Sequence, residues 1–128
     1  MSDVDGRLVR LAIPAEARHL RLARLTAAGI AGDAGFTLED IEDLRVAVDE
    51  VCAILIEGAG DDAEVELRYR VGIDELVIEG ACPNGAGEPE LHPVARELLA
   101  MTADEYEVGR DGASVVFRLV KRRHAAAP

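Results

Sequence analysis

The sequence predicts an α+β domain, a two-layer sandwich in which an antiparallel or mixed β-sheet carries helices on one face. Three observations predict it. The apolar pattern switches between a period of two and a period near 3.6, in the order strand, helix, helix, strand, strand, helix, strand, strand. The stretch TLEDIEDLRVAVDEVCAILIEG, residues 37–58, is apolar on several sides and needs cover from more than one neighbour. Strands fall into hairpins apart from the helices, which is the pattern of segregated layers.

Arg7 to Ile13 alternates polar and apolar residues and reads as a short first strand with no sequential neighbour to pair with. Pro14 opens a helix expected from about Ala15 to Ala31, with Leu20, Leu22, Leu25 and Ala28 inward. Arg18, Arg21 and Arg24 follow at three-residue steps along its exposed strip. They are the one concentrated basic surface in an acidic chain, either a solvated face or a partner contact. Gly32 to Phe36 is a loop.

The central helix starts at Thr37, a usable N-cap with an acidic first turn, and ends at Gly58, where a left-handed residue is wanted. Ile41, Leu44, Val48, Val51, Cys52 and Leu55 make one inward stripe, and Val46, Ala47, Ala53, Ile54 and Ile56 leave little of the second half polar. Asp49 and Glu50 are carboxylates inside this apolar run. They belong either to a solvent strip with Asp43 and Glu57 or to a site.

Ala63 to Val71 and Glu75 to Gly80 form a hairpin of alternating strands, followed by the irregular ACPNGAGEPELH, residues 81–92. Pro93 to Met101 is a short helix with Val94, Leu98 and Leu99 inward. Glu105 to Val108 and Ser114 to Val120 make a final hairpin around Gly109 to Gly112, and KRRHAAAP reads as a frayed tail.

The 128 residues are one domain's worth, 1–128, and 49 % hydrophobic with 30 % charged residues is a globular composition. Cys52 and Cys82 have no metal-ligand spacing and read as reduced thiols. The amino terminus lacks a secretory pattern and no apolar run is long enough to cross a bilayer, so a cytoplasmic protein is expected. A net charge of −11 opposes direct binding to nucleic acid or an anionic membrane and favours a partner with a basic face. His19, His92 and His124 make no catalytic arrangement with either cysteine.

The segment RVAVDEVCAILI resembles the N-box helix of anti-sigma factors and serine protein kinases of the RsbW and SpoIIAB type, within the GHKL (Bergerat) ATPase superfamily. The resemblance is closest to the actinobacterial UsfX branch. It implies the GHKL arrangement of sheet and helices, a homodimer, and two partners, a sigma factor and an anti-anti-sigma (STAS) protein. It also implies ATP and Mg²⁺ as cofactors, with Glu50 as general base. On the same resemblance Arg24 takes the place of the arginine that contacts the partner.

The chain departs from that family at the nucleotide boxes. The family's magnesium-carrying Asn, four residues after the Glu, is Ile54 here, and isoleucine offers a hard cation no oxygen. The adenine-reading Asp falls on Gly80, with Cys82 and Asn84 at the next glycine positions. Gly85 and Gly87 are either part of the nucleotide loop or a surface turn. HPVARELLAM has no phosphate-wrapping glycine, and Glu88 and Glu90 ahead of it oppose a triphosphate. Gly112, Ala113 and Ser114 match the last box weakly. Two readings follow: a serine kinase acting on an anti-anti-sigma factor, or a binding module that sequesters a sigma factor and yields it to an antagonist by competition. The missing Asn and Asp favour the second. A GHKL-like domain with some other partner is a third.

Overall fold

The computed structural model describes residues 7–124. Five strands form one sheet in the order β1-β2-β3-β5-β4, every neighbouring pair antiparallel: β1 (Arg7–Pro14), β2 (Glu64–Val71), β3 (Glu75–Pro83), β4 (Glu105–Asp111) and β5 (Ser114–Arg122). Three helices cover one face: α1 (Leu20–Asp33), α2 (Leu38–Ile56) and α3 (Pro93–Thr102). The α+β sandwich is as expected, its sheet wholly antiparallel. α1 packs over β1 and β2, α2 over the central β3 and β5, and α3 over β4, so α1 and α3 flank α2.

The pleat explains the layers. Val65, Leu67 and Tyr69 of β2 and Leu76, Ile78 and Cys82 of β3 are buried under the helices, while Glu64, Glu66, Arg68 and Arg70 point to the open face. α2 begins as expected, with the Thr37 hydroxyl accepting from the Asp40 amide at 3.1 Å, and Gly58 follows it at φ +83°. Leu44, Ala47, Val48, Val51, Cys52 and Leu55 form its buried stripe. Their apolar burial on both flanks is the main source of cohesion between the layers.

Several local expectations are corrected. The residues before α1 form a short 3-10 turn, Ala17–His19, and the buried face of α1 is Ala23, Ala27 and Ala31, with Leu20 half-buried against the core, rather than Leu22 and Leu25. Leu22 and Leu25 are 38 % and 51 % exposed. Alanine lets the helix backbone lie close to the sheet, near enough for the Tyr69 hydroxyl to donate to the Ala23 carbonyl at 2.9 Å. Val94 also faces solvent, and Ala95, Leu99 and Thr102 are the buried positions of α3. β3 runs on to Pro83, so Cys82 is a buried strand residue and not a loop thiol. The final hairpin turns at Gly112 and Ala113 alone, because β4 continues to Asp111.

The expected frayed tail is corrected over residues 121–124. Lys121 is buried within β5, and beyond it the His124 backbone N–H donates to Asp40 at 2.9 Å. Residues 125–128, and the amino-terminal residues 1–6 read for a leader pattern, lie outside the described residues. No helix among the described residues is long and apolar enough to cross a membrane.

Candidate functional site

The C-terminal end of α2 meets the segment after β3, and a cleft of about 290 Å³ lies between them. Ile54 lines it from the last turn of α2, with Glu57, Asn84, Glu88, Glu90 and His92 around it. A helix end leaves carbonyls without partners, and here one side chain supplies them. The Asn84 amide donates to the carbonyls of Leu55 at 3.0 Å and Glu57 at 2.8 Å, while its own carbonyl oxygen accepts from the Ala86 N–H at 3.0 Å. Asn84 is only 4 % exposed. The loop then lies hard against the helix end, since a Cβ on Gly58 would stand 2.8 Å from that of Ala86.

Arg110 fastens the same loop from the sheet. Its guanidinium donates to the carbonyls of Asn84 and Gly87, each at 2.6 Å through Nη2, and to that of Gly112 at 3.2 Å through Nη1. A planar fork with five donors suits three converging carbonyls. Arg110 has one signal in the sequence, the alternation Tyr106, Val108, Arg110, which places a charge on the inward phase of β4.

Of the positions matched to nucleotide boxes, the cleft brings together Ile54, Asn84 and Gly87. Gly85 does not line it, and Gly112 sits in the β4–β5 turn at φ +61°. Gly80 is buried elsewhere: the Phe117 ring lies over it, and an added Cβ would come within 2.3 Å of a ring carbon. Glu50 is half-buried on α2, four residues before Ile54, and is not part of the cleft lining. As it stands, the donor set fits a magnesium triphosphate poorly. Ile54 has no oxygen, the Asn84 amide is fully engaged, and three carboxylates border the space. Among the described residues no three acids, histidines or cysteines are grouped to hold a metal ion. A wider hollow of about 770 Å³ lies on the open face of the sheet among Glu66, Arg68, Glu79, Glu107 and Arg118, where alternating charges solvate the strands.

The three arginines do not share one environment. Arg18 is exposed in the 3-10 turn and pairs with Glu16 at 2.9 Å, and Arg21 is exposed on α1. Arg24 is half-buried, and its Nη1 donates to Asp49 on α2 at 3.0 Å. Asp49 is therefore an interhelical partner rather than a member of a bare solvent strip. Asp43 likewise leaves that strip, lying 3.6 Å from the buried Lys121. Lys121 also lies 3.6 Å from Asp40, and His124 Nδ1 lies 3.0 Å from the same carboxylate. Asp40 falls on the buried phase of α2 and Lys121 on the inward phase of β5.

An antiparallel five-stranded sheet under three helices, with a loop closing on the end of the middle helix, defines the class. The chain matches the histidine kinase-like ATPase domain over residues 13–110, and it belongs to that family. Within the family its likeness is to RsbW. It is 37 % identical over 84 residues to the serine-protein kinase RsbW of Bacillus pumilus (strain SAFR-032), covering 62 % of this chain and 52 % of that one. To the serine-protein kinase RsbW of Bacillus velezensis (strain DSM 23117 / BGSC 10A6 / LMG 26770 / FZB42) it is 38 % identical over 73 residues, 55 % of this chain and 46 % of the other. The chain thus spans about half the length of these curated relatives. Among solved structures it resembles the crystal structure of the RsbU and RsbW domains of Rv1364c from Mycobacterium tuberculosis. The TM-score is 0.69 at 15 % identity, over 91 % of this chain and 32 % of that one, a likeness of fold.

Proposed function

We propose that the chain is an anti-sigma factor of the RsbW type that works as a binding module: it sequesters a sigma factor and is released by an anti-anti-sigma (STAS) antagonist. Nucleotide binding is weak or lost. The observation that carries the second statement is the closed end of α2, where Asn84 occupies the helix carbonyls and Glu57, Glu88 and Glu90 surround an apolar Ile54. A triphosphate entering there meets like charge and finds no carboxamide free for a metal. The family and the RsbW relatives support the partner class, and the net charge of −11 suits a partner with a basic face.

Arg24, Arg21 and Arg18 are proposed as partner contacts on α1, with Arg24 presented by its bond to Asp49. A homodimer is proposed through the edge strand β1, which among the described residues pairs with β2 alone and leaves its other edge for a second copy. Mixing the purified chain with candidate sigma factors and STAS proteins, without nucleotide, tests the reading. It expects a stable complex with a sigma factor, its displacement by a STAS protein, and no transfer of labelled phosphate when ATP and Mg²⁺ are added. Phosphorylation of the STAS protein would restore the kinase reading, with Glu50 as its base.

A further inference from the structure

On the side of α2 away from α1, the helical layer leaves an apolar face uncovered. Leu38, the first residue of α2, is 77 % exposed, and Met101, in the last turn of α3, is 74 % exposed. Both line one hollow of about 610 Å³ between the start of α2 and the end of α3. Val94, 69 % exposed, and the half-buried Leu98 extend the face along α3, because positions 94, 98 and 101 fall on one stripe at i, i+4 and i+7. The core does not use this stripe. Ala95, Leu99 and Thr102 are the buried residues of the helix.

The rim of the hollow is acidic. Glu39, Asp43 and Asp104 border it, with Asp40 buried behind them. Lys121 also lines it but is buried and already lies 3.6 Å from both Asp40 and Asp43. The His124 ring is held between Asp40 at 3.0 Å and Asp104 at 3.7 Å. An uncovered apolar stripe on a helix pair, rimmed by carboxylates that local cations do not balance, is complementary to a helix with an apolar face and basic flanks.

We propose that the Leu38–Met101 face is a docking surface for a basic amphipathic helix of a protein partner, separate from the arginines of α1. It adds a second contact to the reading given above and does not require that reading, since neither the cleft at Asn84 nor nucleotide takes part. Leucine and methionine here supply apolar contact, and the carboxylates select the sign of the flanking charges.

Fluorescence anisotropy with a labelled leucine–lysine amphipathic peptide about five helical turns long tests it on the full chain. The probe is compared with an isomer of scrambled order. The amphipathic peptide is expected to bind, and Leu38→Ser and Met101→Ser are each expected to weaken it about tenfold. Ile73→Ser, at a residue 72 % exposed in the β2–β3 turn, is expected to change nothing. Melting curves report the fold of each variant, and none of these exposed side chains supports the core. Equal binding of the scrambled isomer, equal binding by the Leu38 and Met101 variants and the parent chain, or equal weakening by Ile73→Ser would each overturn the proposal.

Discussion

The side-chain amide of Asn84 donates to the main-chain carbonyl of Leu55 at 3.0 Å, so a residue just beyond β3 closes the end of α2. A second bond, to Glu57 at 2.8 Å, completes the cap. Asn84→Ala leaves the buried Leu55 carbonyl and the part-buried Glu57 carbonyl without this donor and is expected to destabilise the chain by ~1–3 kcal/mol. Denaturant titration measures this, and an unchanged midpoint would mean that water replaces the amide.

Arg110→Ala addresses the loop rather than the helix. Its bonds go to the carbonyls of Asn84, Gly87 and Gly112, so their loss is expected to raise hydrogen exchange and protease cleavage between Gly85 and Glu88. The sheet itself should melt nearly as before, because those bonds are half-exposed and lie at one end of it. Exchange confined to its starting rate would show that the cap at Asn84 alone holds the loop.

Arg24 and Asp49 separate folding from partner capture. The pair is 3.0 Å apart with side chains 32 % and 40 % exposed, and such bridges are worth about 1 kcal/mol or less. A double-mutant cycle with Arg24→Ala and Asp49→Asn is expected to return a coupling of that size. If Arg24 also meets the partner, Arg24→Ala weakens capture by ~2 kcal/mol or more while Asp49→Asn weakens it less. Equal losses from both would reduce Arg24 to a strut between the helices.

Acid stability follows Asp40. Burial pushes its carboxyl up, but the backbone N–H and ring of His124 and the Lys121 ammonium outweigh that and hold it below the ordinary value of 3.8. A depressed carboxylate contributes stability in full above its unfolded value, and loses it as pH falls through the folded one. Melting temperature is therefore expected to fall below about pH 4, with a shallower slope in Asp40→Asn, which is already less stable at neutral pH. Parallel profiles for the two proteins would remove Asp40 from the account.

The element order and the central helix were legible because period-two and 3.6-residue patterns are local. The face of α1 was not. Alanines carry little apolar signal, and the leucines that carry more, Leu22 and Leu25, face solvent. The length of β3 was obscured by its last residue, Pro83, and by Gly85 beyond it, since partners on β5 rather than local propensity keep Ala81 and Cys82 extended. At the site, the family resemblance led to Ile54 and Asn84, and the structure gives Asn84 a use that spacing does not reveal. Gly80 illustrates the opposite case. Its missing side chain leaves room for Phe117, a packing reason that only the cross-strand register discloses.

Calorimetric titration of the chain with ATP in excess Mg²⁺, on protein shown in parallel to capture a sigma factor, tests the central claim most directly. The account predicts no saturable heat at millimolar nucleotide and the same sigma-factor affinity with and without it. Magnesium-dependent binding in the micromolar range would contradict it, because the loop held by Asn84 and Arg110 would then have to open for a ligand that its carboxylates repel.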